Sequence, residues 1–278
     1  MADRFPPDID MDTPSIARMY DYLLGGKDNF EVDRVACNVL LDRVPEVFAL
    51  ANDNRAYLTR AVEFVASRGV EQFLDLGAGL PTADNTHHVA QRANPGARVV
   101  YVDNDPIVAA HGRALIDDGR RTAFLHEDLR AGDGILDAPE TRRLIDTDLP
   151  VCLMAVSLLH CVPDDGDPFG ALGSLVDRLA PGSHVIFSHC VTDDPAAGEW
   201  ITEKILSFGT PWGRVRSERE AEAAFAGLEL ASAWTDERDS GPRTVDCATW
   251  RHPERAPLRR PADPDVTLWE MAGVAVKR

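Results

Sequence analysis

Over the first seventy or so residues apolar positions recur with helical spacing, and after that they gather into short unbroken runs. Ile16, Met19, Tyr20 and Leu23 stand at i, i+3, i+4 and i+7, one face of a helix. Thr13 is placed to cap that helix, Pro14 suits its first position, and Gly25 can end it in a left-handed conformation. The stretch from Gly25 to Phe30 cannot extend the helix and reads as a tight loop. Val32, Val35, Val39 and Leu40 predict a second helix, broken near Pro45. A third begins at Asn52 or Asp53, carries Leu58, Ala61, Val62 and Val65 on one face, and ends before Gly69. Residues 1–70 are thus expected to form a helical cap on a core of residues 71–278, together one compact unit.

The core alternates. Apolar runs at Phe73–Leu76, Arg98–Val102, Thr122–His126, Val151–Val156 and His184–Ser188 predict five strands. A helix opening at Asp167-Pro168, with Phe169, Leu172, Val176 and Leu179 on its buried stripe, joins the last two. That rhythm predicts an α/β fold with a mostly parallel sheet covered on both faces. Ser217 and Glu220 then form a capping box, and Leu228–Trp234 and Leu268–Val276 read as two closing strands that pair antiparallel. The segment Arg238–Pro264 between them, rich in Pro, Arg and Asp, is expected to be irregular.

Composition narrows the function. The 278 residues are 44% hydrophobic and 27% charged, with a net charge of −17. A surface that tracks phosphates needs concentrated Lys and Arg, so nucleic acid is not expected as a partner. No apolar run is long enough to cross a membrane, and the acidic start lacks the pattern of a signal peptide. Five scattered cysteines without C-x-x-C spacing point to reduced thiols and a cytoplasmic protein, with no metal site.

The chemistry collects just after the strands, where open parallel sheets bind their ligands. Gly77-Ala78-Gly79 follows the first strand and lets backbone approach a ligand closely. Asp103 follows the second and is suited to both hydroxyls of a ribose; Asp128-Leu129, after the third, suits the edge and face of an adenine. The order describes an adenosine-shaped slot. A dinucleotide fingerprint requires a third glycine, and Thr82 stands there after Pro81. A donor with an amino-acid tail and no pyrophosphate fits better; Arg55, Arg18 and the Gly25-Gly26 backbone are candidates to hold that tail.

Five motifs complete the pattern. The run from Ala17 to Phe30 (ARMYDYLLGGKDNF), Asn54-Arg55, the stretch from Asp75 to Thr82 (DLGAGLPT), Val102 to Pro106 (VDNDP) and His160 to Asp164 (HCVPD) together resemble a family of S-adenosylmethionine-dependent methyltransferases long filed as a domain of unknown function. The resemblance spans nearly the whole chain. It implies a Rossmann-like class I methyltransferase fold: seven strands, the last antiparallel, under a helical N-terminal lid. It also implies donor contacts from Met19, Tyr22, Gly25 and Gly26 in the lid, and from Gly77, Ala78 and Gly79 at the methionine part. Asp103 would hold the ribose, with Asn104, Asp128 and Leu129 around the adenine. Ser157, after the fourth strand, departs from the apolar residue more usual in the family.

The acceptor is less legible. His160 is a weak candidate for a general base, and a packing role at the turn competes with it. Trp200, Phe208 and Trp212 are candidate walls of an acceptor pocket, Asp193-Asp194 a candidate helix cap, and the loop at Asn29 a candidate lid that orders on binding. Two readings stay open: methyl transfer to a small molecule, and a sensor that binds S-adenosylmethionine without transferring its methyl group.

Overall fold

A computed structural model of the chain describes residues 10–233, 243–252, 254–258 and 268–278. Three helices come first: α1 (Ile16–Leu23), α2 (Glu31–Leu41) and α3 (Glu46–Ala66). The alternating part runs β1 (Gln72–Leu76), α4 (Thr86–Ala93), β2 (Arg98–Asp103), α5 (Pro106–Leu115) and β3 (Thr122–His126). It continues through α6 (Asp133–Asp137), α7 (Pro139–Leu144), β4 (Cys152–Val156), α8 (Pro168–Asp177), β5 (His184–Val191) and α9 (Pro195–Ser207). The chain closes with α10 (Glu218–Ala221), β6 (Glu229–Leu230), β7 (Val245–Asp246) and β8 (Trp269–Val276).

The strands lie in the order β3-β2-β1-β4-β5-β8-β6, and β7 also pairs with β8. β1 to β5 are mutually parallel and β8 runs antiparallel to β5, as the sequence pattern predicts. The sheet has eight strands rather than seven because two short ones share one edge of β8. β6 pairs with Ala275 and Val276, and β7 with Met271 and Ala272. β8 is therefore central, which explains its near-continuous apolar sequence. Strand order reverses between β1 and β4, so a crevice opens beyond their carboxyl ends.

One face of the sheet is covered by α3, α4 and α5, through residues such as Val62, Val89 and Val108. The other carries α6, α7 and α8, through Ile135, Leu144 and Leu172. On α3, Val62 and Val65 are fully buried. Burial of each contributes about 1.5–3 kcal/mol, several times the roughly 0.5 kcal/mol that a β-branched residue costs a helix. Tyr57 pins α3 to the sheet, its one hydroxyl proton shared between Gly273 O (2.6 Å) and Phe187 O (3.1 Å). A third apolar cluster joins α1 and α2 to α9, through Met19, Cys37 and Ile205.

Several local expectations shift. Ser15, not Thr13, is the N-cap residue of α1, and its hydroxyl is drawn away to the Asp105 carboxylate. α3 begins at Glu46, six or seven residues before the expected start, with Pro45 accommodated at the N-cap. α2 turns a different face inward: Asp33, Ala36, Cys37 and Leu40 are buried, while Val35 is 56% exposed. The cause is Asp33, which is drawn inside as the partner of buried Arg18 at 2.8 Å. The Ser217–Glu220 capping box forms, ahead of only four α-helical residues. β5 runs three residues beyond its expected end, β6 is only two residues long, and Trp234 and twelve of the twenty-seven residues of Arg238–Pro264 lie outside the described residues.

Candidate functional site

Beyond the strand ends lies a cavity of about 720 Å3, walled by the β1, β2 and β4 ends and roofed by α1, α3 and α9. Gly77 and Gly79 both take left-handed conformations, φ 67° and 66°, which side chains with a Cβ resist. The Gly77 and Ala78 amides donate to Val102 O (2.8 and 3.1 Å), folding the turn across the end of β2. A Cβ on Gly79 would meet no atom within 4 Å, so its backbone faces open cavity.

Asp103 is braced from both sides. Its Oδ2 accepts from Gly79 N and its Oδ1 from Asp105 N, each at 2.9 Å. Burial pushes its pKa up to about 6 despite those bonds. One lone pair on each oxygen remains for a ligand. Next to it, Asn104 donates to Asp128 Oδ2 at 2.8 Å, and Arg130 grips both Asp128 oxygens. Chiefly through Arg130, the Asp128 carboxyl is held down at about 2. Leu129 is buried and gives this end of the cavity an apolar surface.

Above the turn, the Arg55 guanidinium is held by Thr82 Oγ1 and Asp84 O and lines the cavity. Arg18 also reaches the wall, but each of its three nitrogens is already engaged, by Asp33, Asp10 O and Thr13 O. Met19 lines the cavity; Tyr22, Gly25 and Gly26 do not. Their roles are local. Tyr22 donates to Asn38 Oδ1 at 3.3 Å, and Gly25 (φ 75°) ends α1. A Cβ on Gly26 would lie 1.9 Å from Asp21 Oδ1. Asp21 needs that room because its other oxygen ties down the loop, accepting from Asp28 N and Asn29 Nδ2. Asn29 is likewise absent from the cavity wall.

A hydrogen-bonded chain that the sequence reading missed crosses the floor. Asn54 Nδ2 donates to Tyr20 OH (3.0 Å), Ser188 Oγ to Asn54 Oδ1 (2.7 Å), and Ser157 N to Ser188 Oγ (3.0 Å). Ser157 takes φ 56°, turning the chain sharply after β4. His160 follows on a buried 3₁₀ turn, and its Nδ1 accepts from Cys190 N at 3.2 Å. Burial lowers its pKa to about 3. A neutral ring accepting at Nδ1 carries its proton on Nε2, so neither nitrogen is a free base.

The far half of the cavity is apolar, with Leu50, Ile201, Ile205 and Trp212 in its walls. Of the three aromatic candidates only Trp212 lines it; Trp200 lies under Arg43, 4.4 Å from its ring, and Phe208 packs among the cap helices. The sequence reading also passed over Glu270, fully buried on β8 and part of the cavity wall. Its signal was a lone acid in an otherwise apolar strand.

The geometry joins a braced carboxylate, a glycine turn and an apolar wall in one cavity. The family described as S-adenosyl methyltransferase matches residues 2–278. The chain belongs to that family. Its cofactor is S-adenosylmethionine. A protein of Thermobifida fusca described as a "putative methyltransferase" is 39% identical, covers 98% of each chain and superimposes with a TM-score of 0.84. A DUF574 family protein of Streptomyces avermitilis is 34% identical over 97% of this chain and 99% of its own, with a TM-score of 0.82. No curated protein matches the chain. Among the described residues no helix is long and apolar enough to cross a membrane, and no group of three His, Cys, Asp or Glu is placed to hold a metal. Asp194 caps α9, accepting from Ala196 N at 2.9 Å.

Proposed function

We propose that this family member transfers the methyl group of S-adenosylmethionine to a small molecule bound in the apolar half of the cavity. One observation carries the reading: the braced Asp103 carboxylate and the apolar chamber open into the same cavity. In this reading Asp103 accepts from the ribose hydroxyls, and Leu129 with Asn104 flanks the adenine. Asp128 serves mainly to position Asn104, since Arg130 already occupies its oxygens. The Gly77-Ala78-Gly79 backbone borders the methionine part, Arg55 faces its carboxylate, and Ser157 shapes the neighbouring wall.

S-adenosylmethionine supplies an electrophilic methyl group on a sulfonium, displaced in line by the acceptor. The protein's task is therefore to orient the acceptor and exclude water, and orientation contributes up to roughly 7–11 kcal/mol in favourable cases. The apolar walls suit a small molecule, and the charge of −17 disfavours nucleic acid. We place the reaction in the cytoplasm, a compartment that keeps thiols such as its five free cysteines reduced.

A sensor that binds the donor without transfer is the second reading, favoured by the absence of a free base at His160. Incubation with methyl-labelled donor and a fractionated small-molecule extract separates the two. Label in a small product is the expected result; label that stays on the donor in every fraction favours the sensor.

A further inference from the structure

One carboxylate in the cavity has no part in the proposed donor site. Glu270 stands on β8 opposite Cys190 of β5, fully buried in the cavity wall. Among the described residues neither of its side-chain oxygens makes a hydrogen bond of ordinary geometry, although the Ser157 and Ser188 hydroxyls stand near enough to favour its charged form. Other buried acids differ. Asp33 holds Arg18 at 2.8 Å, Asp75 accepts from Thr86 at 2.6 Å, and Asp103 takes two backbone amides. A carboxylate removed from water without a partner is among the costliest groups a fold can bury, and an apolar residue of similar size would avoid the cost. Its position in the wall of a ligand cavity points to a ligand as the missing partner.

The surroundings define that ligand. Tyr20 from α1, Cys190 from β5, Cys161 after β4, and Asp246 and Cys247 at β7 all act on Glu270 or feel its charge. None of these is a cation. Leu50, Ile201, Ile205, Trp212 and Leu268 line the same cavity, with the neutral groups of Tyr20, Asn54 and Ser157 among them, so an entering group meets this acid between largely apolar walls. Asp103 ends β2, and β8 lies four strands away in the order β2-β1-β4-β5-β8, about 19 Å between strand axes at ordinary spacing, so Glu270 stands well along the sheet from the proposed ribose site.

We infer that Glu270 anchors a cationic amino group of the methyl acceptor, which makes the acceptor class a small apolar amine. The inference rests on the reading that the acceptor occupies this half of the cavity. Protonation supports it. Burial pushes the Glu270 pKa up to about 8, outweighing the hydroxyls of Ser157 and Ser188, which favour the anion. At pH 7 the empty site therefore holds a proton, and an arriving ammonium expels it.

The test uses the full chain saturated with S-adenosylhomocysteine. Size-graded sets of phenylalkyl amines and their matched alcohols are titrated calorimetrically at pH 7, in two buffers of different ionisation heat. At least one amine is expected to bind about ten- to a hundredfold more tightly than its alcohol, releasing about one proton. Both Glu270→Gln and Glu270→Met should abolish that preference and the proton release, while keeping alcohol and S-adenosylhomocysteine affinity. Each removes a buried carboxylate, so neither should melt below the wild type. The inference is overturned if no amine outbinds its alcohol, or if the preference survives in a folded variant. It is also overturned if the variants weaken S-adenosylhomocysteine as much as the amine, because Glu270 would then serve the donor. Amine preference without methyl transfer would defeat the transferase reading alone; transfer to a neutral acceptor without amine preference would defeat only this inference.

Discussion

Asp103→Ala removes the carboxylate at the centre of the proposed donor site. The side chain offers one free lone pair per oxygen beyond the bonds to Gly79 N and Asp105 N. A hydrogen bond to a charged group contributes about 1.5–3 kcal/mol, so losing the ribose contact should raise the Kd for S-adenosylhomocysteine by roughly 10- to 150-fold. The pH dependence is a second signature. The pKa of Asp103 is raised from the usual 3.8 to about 6, so the folded protein holds that proton more tightly than the unfolded chain. Between those values stability falls as pH rises, and at neutral pH the ionised group is a cost to folding. Asp103→Asn should accordingly leave the protein folded. In the wild type, ligand affinity should weaken as pH falls below about 6 and the carboxyl protonates. In Asp103→Asn that dependence should vanish, which separates Asp103 from Asp75, whose pKa burial also raises to about 6. Calorimetry at pH 8 and pH 5 with circular dichroism as the folding control is sufficient. A folded Asp103→Ala protein that binds as the wild type does would refute the reasoning.

Other substitutions probe the scaffold. Asp33→Asn leaves the buried Arg18 guanidinium without its anion and should cost about 3–5 kcal/mol in urea unfolding; a loss under 1 kcal/mol would mean the pair does not hold α1 to α2. Tyr57→Phe removes the hydroxyl shared by Gly273 O and Phe187 O, and should lower stability by about 1–3 kcal/mol, with no loss if that contact is incidental. Ser157→Val forces a β-branched residue into φ 56° and should destabilise by about 1–2 kcal/mol or more. An unchanged melting temperature would show that the turn after β4 relaxes freely.

The fold was legible because strand-and-helix rhythm is written in local sequence. Phe73–Leu76 before a glycine turn and Arg98–Val102 before Asp103 lie almost where β1 and β2 form. What escaped was set by distant partners. Val32, Val35 and Val39 look like a buried stripe, yet Asp33 turns α2 over to meet Arg18, fifteen residues earlier. Gly25 and Gly26 look like ligand-contacting glycines, but neither lines the cavity: Gly25 ends α1 at φ 75°, and Gly26 leaves room for the Asp21 carboxylate. His160 sits at a strand end where a base would stand, and only the Cys190 amide, thirty residues on, shows its lone pair taken. Glu270 was hidden by its own neighbours, since one acid among apolar residues reads as an exposed position until the flanking strands are placed.

A crystal structure with bound S-adenosylhomocysteine is the most direct measurement. The ribose hydroxyls should lie within 3.2 Å of the Asp103 carboxylate, with adenine over Leu129 and the apolar chamber beside Glu270 left free. An adenosine bound elsewhere in the cavity, or a tail lying against Glu270, would contradict the account.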